Sequence, residues 1–110
     1  MGIKLTGVRE LQKKLKQNAT LDDVKQVVKH NGSELQTKAQ RNAPVDTGNL
    51  KRSIGLGIRD SGMTAEVEPT AEYAPYVEFG TRFMNAQPFV GSAFHEQEEK
   101  FRKDLKKLVE

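Results

Sequence analysis

The chain has 110 residues, 35% of them hydrophobic and 30% charged, with no cysteine and a formal net charge of +3. That length suits one domain, residues 1–110, with a single lean core, and the lack of cysteine excludes disulfides, thiolate metal sites and cysteine nucleophiles. Apolar runs reach only two or three residues, so neither a signal peptide nor a membrane span is expected, and synthesis in a cytoplasm is.

The charge is uneven. Residues 1–59 hold 12 Lys/Arg against 5 Asp/Glu, and residues 60–110 hold 6 against 10. A basic half could favour nucleic acid, and a basic half with an acidic half could instead set opposite charges across a self-association contact. The plain alternative is an uneven, solvated surface.

In chain order, Ile3-Lys4-Leu5 leads to Thr6, which can cap a first helix with Val8, Leu11 and Leu15 on one face and Lys13, Lys14 and Lys16 on the other. Asn18-Ala19 breaks it. Thr20-Leu21-Asp22-Asp23 reads as a capping box. The helix it opens sets Leu21, Val24, Val28, Leu35 and Ala39 on one stripe and runs to about Asn42. Asn31-Gly32 costs it roughly 1 kcal/mol relative to Ala, but the stripe resumes in phase, so the spacing predicts one helix. Pro44 ends it.

From Ser53 the period becomes two: Ile54, Leu56 and Ile58 point one way, Gly55 and Gly57 the other. Asp60-Ser61-Gly62 predicts a turn, and Ala65 and Val67 alternate with Thr64, Glu66 and Glu68 on a return strand ending at Pro69. The two glycines imply a close approach on their face by a helix or a neighbouring subunit. Ala71 to Gly80 predicts a short helical turn with Pro75 near its start and Gly80 at its end. Thr81 to Gln87 reads as a loop. Pro88 takes the first position of a last helix striped by Val90, Phe94, Phe101, Leu105 and Leu108, with i, i+4 pairs Glu96–Lys100, Glu98–Arg102 and Glu99–Lys103. The fold class is therefore α+β: a small antiparallel sheet with a hairpin, packed by two N-terminal helices and a long C-terminal helix.

Asp46-Thr47-Gly48 is the tripeptide of an aspartic protease, whose subunit can be this short and completes its dyad by dimerising. A catalytic Asp-Thr-Gly follows a hydrophobic strand in an all-β protein, whereas this one follows an amphipathic helix and Pro44. The segment is better read as a corner in which Asp46 and Thr47 bond nearby backbone N–H groups and Gly48 supplies an unusual φ. His30 and His95 lack a second ligand at helical spacing and read as solvent-exposed. No phosphate loop, nucleophile elbow or dinucleotide motif occurs. Lys13, Lys14, Lys16, Lys51 and Arg52 admit nucleic-acid binding, but aromatics at 6%, beside Glu72 and Glu78, make a poor stacking platform. The Tyr73–Phe79 cluster reads first as core packed under the sheet and second as an interface anchor.

Three segments in order, Ala43–Ile54 (APVDTGNLKRSI), Tyr73–Arg82 (YAPYVEFGTR) and Met84–Phe94 (MNAQPFVGSAF), resemble the "gene product ten" family of tailed bacteriophages and prophages. The matching positions are Pro44, Asp46, Thr47, Gly48, Leu50 and Ser53; Tyr76, Val77, Glu78, Gly80, Thr81 and Arg82; and Gln87, Pro88 and Phe89. The resemblance implies a non-enzymatic minor structural protein that joins head and tail or completes the tail, located in the virion after synthesis in the bacterial host cytoplasm. It implies neck or tail partners (a connector, tail terminator or tail tube) and a homo-oligomeric ring, with the isolated subunit able to stay monomeric. It implies no cofactor. Lysines lining a channel could touch DNA through phosphate charge alone. The acidic 60–99 segment and the basic N-terminal half suit a heterologous ring contact. The candidate interface is Tyr73, Tyr76, Glu78, Phe79, Thr81, Arg82, Gln87 and Phe89. The alternative is a small basic nucleic-acid-binding protein.

Overall fold

The computed structural model describes residues 2–7, 19–44 and 48–109. The predicted helix over Val8–Leu15, and Asp46 and Thr47 of the corner, lie outside the described residues. The described elements are β1 (Ile3–Thr6), α1 (Leu21–Asn42), α2 (Asn49–Ser53), β2 (Ile54–Arg59), β3 (Thr64–Pro69), α3 (Ala74–Phe79) and α4 (Phe89–Lys106). The α+β class holds. Helix α1 packs along α4 and across the sheet.

Helix α1 begins as its sequence requires. The Asp23 amide donates to the Thr20 hydroxyl and the Thr20 amide to the Asp23 carboxylate at 2.8 Å, closing the capping box. Val24, Val28, Leu35 and Ala39 are fully buried, and Leu21 packs at the edge of the core. The helix is continuous through Asn31-Gly32, and both residues are buried. A Cβ at position 32 would stand 2.6 Å from the Ala65 Cβ and 3.2 Å from Leu56, so this glycine lets the helix lie directly on the sheet. Before Pro44 the chain turns extended at Ala43, whose N–H still donates to the Ala39 carbonyl.

The sheet has the order β1-β3-β2, both pairings antiparallel. Register puts Ile3, Leu5, Ala65, Val67, Pro69, Ile54, Leu56 and Ile58 on one face and Lys4, Thr6, Glu66, Glu68, Gly55, Gly57 and Arg59 on the other. The first face meets α1. On the second, Glu66 pairs with Arg59 at 3.0 Å and with Lys4 at 3.8 Å. The hairpin turn holds Asp60, Ser61 and Gly62 at positive φ, and the Thr64 hydroxyl donates to the Asp60 carboxylate at 2.7 Å.

Four expectations change. Ile3–Thr6 is an edge strand rather than only the approach to a helix cap. A turn of helix, Asn49–Ser53, stands between the corner and the hairpin, so β2 begins at Ile54. The glycine face of β2 is uncovered among the described residues: Cβ atoms at Gly55 and Gly57 would meet nothing closer than 4.0 and 3.9 Å. The close approach falls on the opposite face, at Gly32. Finally, Pro88 is the N-cap of α4 rather than its first residue.

Helix α4 buries Phe89, Val90, Ala93, Gln97 and Phe101, while Phe94, Leu105 and Leu108 are only partly buried. Two of the expected i, i+4 pairs form, Glu98–Arg102 and Glu99–Lys103. The third does not, because α1 competes for both partners: Glu96 reaches Arg41 at 3.3 Å, and Lys100 pairs with Glu34.

Candidate functional site

Pro44 and Leu50 of the corner meet the tyrosine-rich segment in space. Gly48, at φ 74°, caps α2, and the Arg52 amide donates to its carbonyl. A side chain at Gly48 would meet the Arg52 guanidinium at 2.8 Å. Leu50 is buried beneath. The Ser53 hydroxyl donates to the Leu50 carbonyl, and the Ser53 carbonyl accepts from the Thr70 amide at 3.0 Å, tying the corner to the end of β3. Pro44 and Leu50 then line a groove with Tyr73, Val77, Met84 and Gln87.

Helix α3 starts with Pro75 in its first turn and stops at Gly80, whose φ is 78°. A Cβ there would lie 2.7 Å from the Ala86 nitrogen, because the 81–87 loop folds back tightly. Thr81 and Met84 bridge, the Phe83 amide donates to the Thr81 hydroxyl, and the Gln87 amide donates to the Val77 carbonyl at 2.8 Å. The loop is thus held by its own backbone bonds and by one glycine.

That scaffold turns its aromatics outward. Tyr76 is 60% exposed, Phe79 71% and Phe83 89%, with Tyr73 and Met84 also exposed. The Arg82 guanidinium stacks over the Phe83 ring, 5.1 Å from its centroid. The expectation that the Tyr73–Phe79 cluster packs under the sheet is overturned. Ala74 fills the inward position of α3 instead, with Val77 half-buried. Five large apolar side chains are thus exposed within twelve residues, on one short helix and the loop that follows it.

Two of the candidate interface residues face inward. Phe89 is buried in the core. Glu78 is also buried, and its carboxylate accepts from the Val90 and Gly91 amides at 2.9 and 3.0 Å. It caps α4 from α3, answering the unpaired N–H groups and positive end of that helix, which Pro88 cannot cap by side chain. Tyr73, Tyr76, Phe79, Thr81, Arg82 and Gln87 are exposed.

A polar seam between α1 and α4 has no counterpart in the sequence reading. Gln97, fully buried, donates to Asn31 at 2.5 Å and accepts from Lys38 at 2.6 Å; Asn31 also donates to Asp104 at 3.0 Å. Glu34 accepts from Gln97 and Lys100 and lies 2.6 Å from His30. The Lys100 hydrogen bond holds the Glu34 carboxyl below its ordinary value; burial opposes this, and Gln97, the Lys100 charge and His30 add to it. Every buried side-chain polar atom among the described residues is partnered. The only hint of the seam in the sequence is a glutamine four residues before Phe101, within an apolar stripe.

Both histidines are exposed, as expected, and the described residues contain no metal-binding cluster. No described helix is long and apolar enough to cross a membrane. What the fold presents is an α+β frame with an outward row of aromatic side chains. Residues 8–80 match the HK97-gp10-like family model, described as "Bacteriophage HK97-gp10, putative tail-component". The chain belongs to that family of phage tail structural proteins, which places it in the virion among tail or neck proteins. The match takes in the corner and α3 and stops at Gly80, just short of the Arg82–Phe83 loop. No curated protein and no solved structure matches the chain.

Proposed function

We propose that this chain is a non-enzymatic assembly subunit that joins head to tail or completes the tail, working as a member of a homo-oligomeric ring. The ridge of Tyr76, Phe79, Arg82 and Phe83 carries the reading. It is built on a backbone that fixes its shape, and aromatic and arginine side chains are those that anchor protein contacts. A ring needs one face of each subunit to meet a different face of the next. The ridge supplies one such face, on the acidic half of the chain, and a connector, terminator or tail-tube protein would meet it or its neighbours. Contact with DNA, if the ring encloses the channel, would be through lysine charge and without sequence choice.

The test is a phage lacking this gene, complemented in trans. The intact gene should restore joined, infectious particles. Arg82→Glu, which reverses charge and removes the cation over Phe83, should leave the protein soluble and folded while heads and tails accumulate apart. Normal particles with Arg82→Glu and with the Phe83 ring also removed would overturn the ridge as the contact. Peptidase activity lost in Asp46→Asn, or tight duplex binding at physiological salt, would overturn the structural role itself.

A further inference from the structure

Among the described residues the outer edge of β2 is open, and its open groups form a self-complementary set. The ladder register fixes which groups point outward. The Thr70 amide donates to the Ser53 carbonyl, so alternate pairs from Ser53 onward, namely Gly55–Glu68, Gly57–Glu66 and Arg59–Thr64, are the hydrogen-bonded ones. The N–H and C=O groups of Ile54, Leu56 and Ile58 therefore point away from β3. Those of Ile54 are already used: its N–H donates to the Lys51 carbonyl, and its C=O accepts from Gln36 and Gln40 on α1. Leu56 and Ile58 remain, with no partner for their outward backbone groups among the described residues. Unprotected edges of this kind are templates for another strand.

We infer that a second copy of this chain pairs with this edge, antiparallel, about a two-fold axis through Gly57. In that register Leu56 of one copy faces Ile58 of the other, each such pair exchanging both its N–H···O bonds, so every open group is satisfied. The apolar face gains as well. Ile58 is 44% exposed, the one large exposed hydrophobic of the described residues outside the 73–84 ridge, and it comes to lie against Leu56 of the second copy. On the other face Arg59 comes opposite Gly55 of the second copy, where no side chain obstructs it, beside the cross-strand partner of that glycine, the acid Glu68. Arg59, which pairs with Glu66 in its own subunit, then shares that face with the second copy's Glu68. The glycines of β2, which nothing among the described residues covers, thus have a use between subunits. An isologous contact closes as a pair and leaves the aromatic ridge free, so this inference stands apart from the tail-joining role.

The register can be read by cross-linking, because the chain has no cysteine of its own. Across the axis the Gly57 Cα atoms would lie about 4.5 Å apart in a non-hydrogen-bonded pair, within disulfide reach. Purified Gly57→Cys should form a covalent dimer under mild oxidation, and Gly55→Cys, which faces Arg59 rather than itself, should do so at least about tenfold more slowly. Adding Ile58→Pro, which removes an outward N–H without touching the β3 ladder, should abolish the Gly57→Cys dimer. Should that variant unfold, amide exchange of the wild type replaces it: Leu56 and Ile58 should gain protection as concentration rises. Equal cross-linking at positions 55 and 57, cross-linking that survives Ile58→Pro in a folded protein, or unchanged exchange at Leu56 and Ile58 would each overturn the pairing.

Discussion

Replacing Gly32 by alanine sets helix propensity against packing at one atom. In an exposed helix the change would gain about 1 kcal/mol. Here the new methyl would stand 2.6 Å from the Ala65 Cβ, and α1 would have to lift from β3 or bend. Overpacking of that kind costs about 1–3 kcal/mol, so Gly32→Ala is expected to lower the urea midpoint despite its better propensity. Removing the opposing methyl in Gly32→Ala/Ala65→Gly should recover part of the loss, which a purely helical effect would not. The sequence shows only the cost of a glycine at this position, because the residue that demands it lies 33 positions away on a strand.

Between α1 and α4, contact depends on the polar seam as well as on apolar burial. Glu34 is its acidic centre, and its carboxyl titrates below the ordinary 4.5 because Lys100 donates to it. On acidification the unfolded chain takes up that proton before the native protein does. The stabilisation is therefore full above about pH 4.5 and is lost as pH falls through the lowered native value. Glu34→Gln should flatten the fall in unfolding free energy between about pH 5 and pH 3, measured by chemical denaturation. Helix α1 itself was legible, since its capping box and its buried stripe are local patterns. Strand β1 was not: four residues carry too little alternation, and its partner is β3, some sixty positions on. Helix α2 escaped because Leu50 is its single buried residue. The Glu96–Lys100 pair failed for the same reason as β1, since Arg41 and Glu34 reach across from another helix. The helix end before Pro44, the left-handed Gly48, and α3 with its stop at Gly80 were readable as punctuation. Which aromatics face out was not, because Phe79 and Phe89 are alike in sequence and differ only in what packs on them.

For the molecule as a whole, that difference separates the aromatics that carry stability from those left available for contact. The protein is elongated, 54 × 21 × 19 Å, and its core holds Phe89 at 1% exposure while Tyr76 and Phe83 stand in solvent. Phe89→Ala removes a ring from the junction of α4 with the core and should cost about 3–5 kcal/mol, a large share of what a domain of this size has. Tyr76→Ser/Phe83→Ser removes more aromatic surface, yet surface changes usually move stability by less than about 0.5 kcal/mol, so its thermal midpoint should match the wild type. If the ridge is the contact with the next protein in the tail, that double variant should be well folded and missing from purified particles, as read by mass spectrometry of virions made in the complemented host. Phe89→Ala should instead lose incorporation in proportion to its lost folded fraction and regain it at lower temperature. A double variant that enters particles normally would move the contact elsewhere, to surfaces whose shape depends on neither ring.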